Sequence, residues 1–377
     1  MPNMKIHLDT DLGGDIDDLC ALAMLLRWPG AEITGVTTVA EIGGRRAGQV
    51  RFVLQGENRG QIPVAAGADV SLGCYRVQQT LYDEQRYWGQ AIPALPGDLD
   101  SALALLKRSI EQGAVIAAIG PLTNLALLEQ RYPGILAQAR VVLMGGYVYA
   151  IRAGLPQWDN EMDYNIQVDA PSAYVVLDHC SPTIVPMTMT VETALRRAHL
   201  PRLEQAGPLG KLLARQAREY ARDERIAEKF AATCQALPGD ILNFQHDPLA
   251  CAIAMGWRDE VEITELPLRI ELRDGYLHET IDAAGKPVRV VTRINGDAFN
   301  EFWLDMVTNQ RALWIGYCAR QVGWAQPDLF AFTTHNADCG SFGPHIPPSP
   351  SFPPEQGRRE GALWTSGSFC GGGDRDK

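Results

Sequence analysis

An α/β fold with a mainly parallel central sheet flanked by helices is predicted for this chain. Three observations predict it. Short apolar runs alternate with amphipathic stretches through the first half of the sequence. Several of those runs are β-branched or apolar throughout, as strands buried on both faces are. With 377 residues and 46% hydrophobic content, the chain can also bury a large core.

The elements follow in order. Ile6-His7-Leu8 is a short strand ending at Asp9. Asp18 to Trp28 carries Leu19, Leu22, Ala23, Leu25 and Leu26 on one helical face. Ile33 to Val39 is β-branched and strand-like, residues 44–55 are helical, and Pro63 to Ala66 is a short strand. Helices over Ser101 to Glu111, Thr123 to Arg131 and Pro171 to Asp178 alternate with strands over Ala114 to Ile119, Val141 to Met144 and Thr183 to Val185. Residues 193–256 read as mostly helical. Residues 261–293 read as two strands around the turn Asp274-Gly275, and Asp297 to Leu313 as a final helix. Phe299, Phe302, Trp303 and Met306 have core spacing on that helix. After about Gly316 the chain changes character. Proline and glycine rise to about a quarter of the residues, near the level of low-complexity sequence. Residues 1–315 are therefore expected to form one α/β domain, with 316–377 a disordered tail.

The net charge of -11 disfavours a nucleic-acid partner, because an acidic surface repels phosphate backbones. A metal ion or a small neutral or cationic substrate fits better. No basic leader with an apolar run opens the sequence, and no stretch reaches the roughly 18 apolar residues of a membrane span. The eight cysteines are scattered without a C-x-x-C pair, which argues against a disulfide framework or a thiolate zinc site. A cytoplasmic protein without a membrane partner is expected.

The chemistry concentrates after the first strand. Asp9-Thr10-Asp11-Leu12-Gly13-Gly14-Asp15-Ile16-Asp17-Asp18 packs five carboxylates into one loop. In parallel sheets, ligands bind outside the carboxyl ends of the strands. Carboxylates this close repel one another unless a cation is present, and all-oxygen ligands suit calcium or magnesium. Aspartate is also an ordinary helix cap, and Asp15 is the best candidate for that role. Capping does not explain five.

Four later segments fall at other strand ends or helix starts. Gly120-Pro121-Leu122-Thr123-Asn124 follows a buried strand; Thr123 could cap a helix or lend its carbonyl to a cation. Met144-Gly145-Gly146 lets backbone approach a ligand. Asp163 and Asn165 face the same way if their segment is extended, and could hold sugar hydroxyls. His246-Asp247, ahead of Pro248, reads as a plain helix start, but also offers a carboxylate and a titratable imidazole.

These pieces together resemble the inosine–uridine-preferring nucleoside hydrolase family, over roughly residues 4–313. Its D-x-D-P-G-x-D-D loop is matched by residues 9–18, with Leu12 for proline and two extra residues before the Asp pair. Its G-x-L-T-N is matched at Gly120 to Asn124, its M-G-G at Met144 to Gly146, its E-F-N-I by Asp163-Tyr164-Asn165-Ile166, and its H-D by His246-Asp247. The resemblance implies a ribonucleoside hydrolase that is commonly a dimer or tetramer. It implies calcium held by Asp11, Asp18, Asp247 and the Thr123 carbonyl. Asp17 would bind the ribose 2′-hydroxyl. Asp163 and Asn165, with the Met144 backbone, would hold the 5′ and 3′ side. Asp11 would be the general base toward the calcium's water, and His246 would lie near the leaving base and could donate a proton to it. Tyr82, Tyr87 and Trp88 stand where family members carry leaving-group residues. Three departures stand out: Glu41-Ile42 follows Thr37-Thr38-Val39-Ala40 where an asparagine is usual, Asp163 is shorter than the family's glutamate, and Tyr82-Asp83-Glu84 stands where a histidine is often seen. The metal and diol end matches the pattern, while the base and 5′ end differ from it.

Two other readings compete. A haloacid-dehalogenase-like phosphatase would use Asp9 as its nucleophile, but leaves Asp17, Asp18 and Asp247 without a role. A non-catalytic nucleoside- or ribose-binding relative would bind without turnover.

Overall fold

The computed structural model describes residues 4–72 and 81–308. Eleven strands form within them: β1 (Met4–Thr10), β2 (Ala31–Thr38), β3 (Val64–Ala66), β4 (Val115–Ala118), β5 (Arg140–Met144), β6 (Thr183–Val185), β7 (Leu195–Arg196), β8 (Ile241–Asn243), β9 (Glu262–Arg273), β10 (Tyr276–Ile281) and β11 (Lys286–Arg293). Nine build one sheet, in the order β10-β9-β11-β6-β5-β4-β1-β2-β3. Its pairs are parallel from β3 through to β11; only β9 runs antiparallel to its neighbours β10 and β11.

The helices are α1 (Asp17–Arg27), α2 (Arg45–Gly56), α3 (Glu84–Tyr87), α4 (Leu99–Glu111), α5 (Thr123–Arg131), α6 (Tyr164–Gln167), α7 (Ala170–His179), α8 (Met187–Thr190), α9 (Leu200–Gln205), α10 (Gly207–Asp223), α11 (His246–Ala254) and α12 (Gly296–Thr308). From β1 the chain winds outward through β2 to β3, then returns to the other side of β1 for β4, β5 and β6. Right-handed crossovers therefore place α1 and α2 on one face and α4, α5 and α7 on the other. The second layer packs as one body: Leu103, Leu106, Leu125, Leu128, Ala173 and Leu177 share a buried cluster with Ile116, Val141 and Ile184 of the sheet. On the first face α11 and α12 pack against α1. The Trp303 indole donates to the Cys20 carbonyl at 3.1 Å, and Trp257 lies 5.2 Å from Phe299 and 5.7 Å from Phe302. The aromatic set of the last helix is core, as its spacing predicts.

Two details differ from the sequence reading. Residues 261–293 make three strands, because Lys286–Arg293 joins the sheet beside β6. Pro287 disguises that strand; it sits opposite Pro267 of β9, where two prolines forgo ladder bonds together. The small β7–β8 pair interrupts the helical region 193–256, and strands of two and three residues are too short to show a period. The expected boundary at 315/316 and the expected tail lie outside the described residues.

Candidate active site

Strand order reverses between β1 and β4, and the loops leaving their carboxyl ends are 11–16 and 119–122. Such a reversal opens a crevice at the sheet's edge. The loops approach closely. A Cβ on Gly120 would stand 2.9 Å from the Asp11 amide nitrogen and 2.7 Å from Val39, so only glycine fits that position.

The acidic loop is bound down along its length. Thr10 donates its hydroxyl to Asp18 and accepts from the Leu12 amide at 3.2 Å. Arg46, on the buried face of α2, donates Nε to the Ala40 carbonyl at 2.8 Å and Nη1 to the carbonyls of Asp11 and Leu12, the latter at 3.1 Å. Asp15 is turned to partners outside the carboxylate cluster. Its carboxylate accepts from Tyr220 of α10 at 2.7 Å, from the Asn243 amide of β8 at 2.6 Å and from the Ile16 amide at 2.5 Å. The capping position of α1 falls on Ile16, so Asp15 is a tether just before the helix.

The helix then starts at Asp17, and α11 brings Asp247 to meet it. The carboxylates of Asp17, Asp18 and Asp247 gather with oxygens within 4.8 Å of one another, all buried. Among the described residues no other group of three His, Cys, Asp or Glu is so gathered. The Asp247 amide donates to Asp17 at 3.3 Å. Burial first, then the neighbouring charges, push all three carboxyls well above the usual range: Asp15 and Asp18 act on Asp17, Asp11 on Asp18, and Asp17 and Asp18 on Asp247. Asp11 is raised by burial, and the Arg46 charge offsets that rise. Asp11 is thus electrically part of the cluster without belonging to its tight triple, and Asp17, expected at the ribose diol, does belong to it.

Beneath the loop runs a buried relay. Thr34 donates to Ser109 at 2.8 Å, and Ser109 lies 2.8 Å from His7 Nδ1. His7 Nε2 lies 3.0 Å from the Thr37 hydroxyl, which donates to Asp9 Oδ1 at 2.5 Å. The Asn124 amide donates to the same oxygen at 2.8 Å. Burial lowers His7 to about 3 and raises Asp9 to about 7. Asp9 has no solvent exposure, and a nucleophile sealed in this way does not suit the phosphatase reading.

The sugar-side residues divide. Asn165 donates to the carbonyls of Ile119 at 3.0 Å and Met144 at 3.2 Å, linking the ends of β4 and β5. The segment is not extended: Asp163 precedes α6 and Asn165 lies within it. Asp163 accepts from the Gly146 amide, and burial raises it to about 7. The Thr123 hydroxyl donates to Asp169 at 2.5 Å. Glu41 turns to the start of α2 and accepts from Arg46 N at 2.9 Å and Ala47 N at 3.0 Å.

The far end is aromatic. His246 lies 5.3 Å from Phe244 and 6.4 Å from Trp158, and both rings pack on Phe230 in the π-helical turn Ala227–Ala231. His246 Nδ1 lies 2.6 Å from the Thr190 hydroxyl, and burial lowers the imidazole to about 4. Tyr82 stacks on Tyr87 at 4.5 Å and donates to Glu224 at 2.7 Å. Trp88 is buried against Phe52 at 5.9 Å. Neither joins the group around His246. Sequence reasoning missed Arg46, Trp158, Phe230 and Phe244. Arg46 could have been found, since it shares the buried helical stripe of Val50, Val53 and Leu54.

The model of the inosine-uridine preferring nucleoside hydrolase family matches residues 6–301. A pyrimidine-specific ribonucleoside hydrolase of Salmonella paratyphi A is 28% identical over 236 residues, 59% of this chain and 74% of that one. Its counterpart from Klebsiella pneumoniae is 29% identical over 222 residues, 56% and 69% of the two chains. Among solved structures, a plant nucleoside hydrolase superimposes with a TM-score of 0.67 at 19% identity, covering 82% of this chain and 100% of that one. A purine-preferring ribonucleoside hydrolase from Gardnerella vaginalis gives 0.64 at 19%, covering 81% and 98%.

Proposed function

This chain belongs to the inosine-uridine preferring nucleoside hydrolase family, and we propose that it hydrolyses the N-glycosidic bond of a ribonucleoside to ribose and free base. The observation that carries the reading is the buried triple Asp17, Asp18 and Asp247 at the reversal of strand order. Three buried carboxylates within 4.8 Å are a donor set for a hard, oxygen-preferring cation. Calcium is our choice: Asp18 and Asp247 of the triple would hold it together with Asp11 and the Thr123 carbonyl, leaving Asp17, the third member, to face the ribose beside it. Bound there, the ion would supply charge neutralisation and make a nearby water easier to deprotonate.

The chain's own groups do the rest. Asp11 takes the proton of the attacking water; its folded-state affinity for protons is raised by burial, as suits a base. Asp17 binds the ribose 2′-hydroxyl. The clustered carboxylates stabilise the positive charge that develops on the ribosyl ring as the bond to the base breaks. Asp163, Asn165 and the Met144 backbone bound the rest of the sugar. His246 faces the leaving base. Burial keeps it neutral near pH 7, so stacking on Trp158, Phe230 and Phe244 carries more of the leaving-group activation than proton donation does. Among the described residues no helix is long and apolar enough to cross a membrane, and we place the enzyme in the cytoplasm as a dimer or tetramer.

The test is base release from purine and pyrimidine ribonucleosides, with calcium and with chelator. Chelator is expected to abolish release, and Asp11→Ala to lower kcat by about 10³-fold or more. Unchanged turnover in that variant would end the assignment of the base. Tight binding of a nucleoside with no release by the wild type would establish the non-catalytic alternative.

A further inference from the structure

Glu279 lies outside every motif considered so far. It projects from β10, is 6% exposed, and its Oε1 has no hydrogen-bond partner. Its Oε2 receives only a long bond, from the Tyr147 amide at 3.4 Å. The neighbouring Gly146 is shared with Asp163. The Gly146 amide donates to Asp163, and a Cβ on Gly146 would stand 3.6 Å from Glu279 Oε1. Two buried carboxyls therefore flank one glycine at the carboxyl end of β5. That end is joined through Asn165 to the end of β4, the strand beside β1. Among the described residues neither carboxyl is in an ion pair.

A buried acceptor without a donor is costly, which makes it a place reserved for a ligand's donor. Burial, and then the charge of Asp163, raises Glu279 to about 8, while Asp163 rises to about 7. Near neutral pH at least one of the two carboxyls carries a proton. The pair can accept from a hydroxyl and donate to it, and it repels a phosphate.

We propose that Glu279 is a specificity-determining residue, which with Asp163 and the Gly145-Gly146 backbone takes the hydroxymethyl end of the ribose and turns away nucleotides. The inference rests on the reading of this site as a ribonucleoside site. With the ring's diol at the aspartate cluster, the 5′-hydroxyl is the sugar's remaining donor at the opposite end.

The test compares the full-length wild type with Glu279→Gln and Glu279→Ala in the presence of calcium. Substrates are inosine and uridine, their 5′-deoxy forms and their 5′-monophosphates. The wild type should prefer the parent nucleoside to the 5′-deoxy form by at least about tenfold in kcat/KM and reject the monophosphate. Both variants should shrink that preference at least about fivefold. The loss should come through KM of the parent, with less than about twofold change for the 5′-deoxy form. A purely structural role would move all substrates together. A preference unchanged within about twofold overturns the inference. Calorimetry with anhydroribitol and its 5-deoxy form, ribofuranose rings without a base, asks the same question without turnover. Weaker anhydroribitol binding in Glu279→Gln alone supports it, and a wild type that does not distinguish the two rings overturns it. Absence of base release with that discrimination intact would overturn the hydrolase reading and leave the subsite standing.

Discussion

The two ends of the site are built on different principles. At the aspartate end, Asp11, Asp17, Asp18 and Asp247 are all buried, Asp18 accepts from the Thr10 hydroxyl, Asp17 accepts from the Asp247 amide, and Arg46 holds the Asp11 carbonyl. At the aromatic end, Trp158, Phe230 and His246 are only partly buried and meet through ring edges, with a π-helical turn among them. The first arrangement gathers charge on packed, hydrogen-bonded elements, the kind of support that bond cleavage demands. The second is an apolar surface of rings packed edge to face, which on the proposed reading receives the base. The proposed function assigns the chemistry common to every nucleoside to the first end and discrimination between bases to the second.

The largest test of this contrast removes a carboxylate. Asp18→Ala or Asp247→Ala should lower kcat/KM by about 10³-fold or more for purine and pyrimidine substrates alike. The same variants should lose the rise in melting temperature that calcium gives the wild type, a stabilisation of about 2.7 kcal/mol at a hundredfold excess over Kd. A loss that depended on the base would break the contrast. Gly120→Ala is the next in size. It should push the β4 loop off Asp11 and cost about 10²-fold in kcat, with the circular dichroism spectrum unchanged. Trp158→Ala and Phe230→Ala should each cost about 1–2 kcal/mol of stacking, roughly 5- to 30-fold in kcat/KM, and the cost should differ between inosine and uridine. Equal losses on both would show that the aromatic surface does not discriminate.

The smallest effect concerns the ground beneath the aspartates. His7 has a folded-state pKa of about 3 against 6.5 in the open chain, so the unfolded state binds the proton more tightly. Its contribution is complete above pH 6.5 and is lost as pH falls toward 3, by about 2 kcal/mol at pH 5. Chemical denaturation at pH 7 and 5 should show a shallower decline for His7→Gln than for the wild type, with catalysis at pH 7 changed little.

The aspartate end was legible because its residues announce themselves. Five carboxylates in one loop have few physical explanations, and Asp247 stands at the head of an apolar helix. The two extra residues in that loop meet partners that no local pattern reveals: Tyr220 and Asn243 bind Asp15, while Asp17 lies in the cluster. The aromatic end was not legible. Trp158, Phe230 and Phe244 are far apart in sequence and share no period, so only the tertiary fold brings them together. Tyr82 and Trp88, nearer to a familiar position, turn instead to Glu224 and Phe52. The fold class followed from alternation, which is local, while β11 needed knowledge of its partner strand.

Asp17 and Asp247 touch across 230 residues of chain. While the protein emerges from the ribosome, the acidic loop is therefore made long before the helix that completes it. The arrival of α11 adds Asp247, a further like charge, so the completed cluster calls for a cation more strongly than the early loop does. On the proposed reading, calcium is held fully only by a chain folded through α11, and a polypeptide cut short before His246 is expected not to retain the ion.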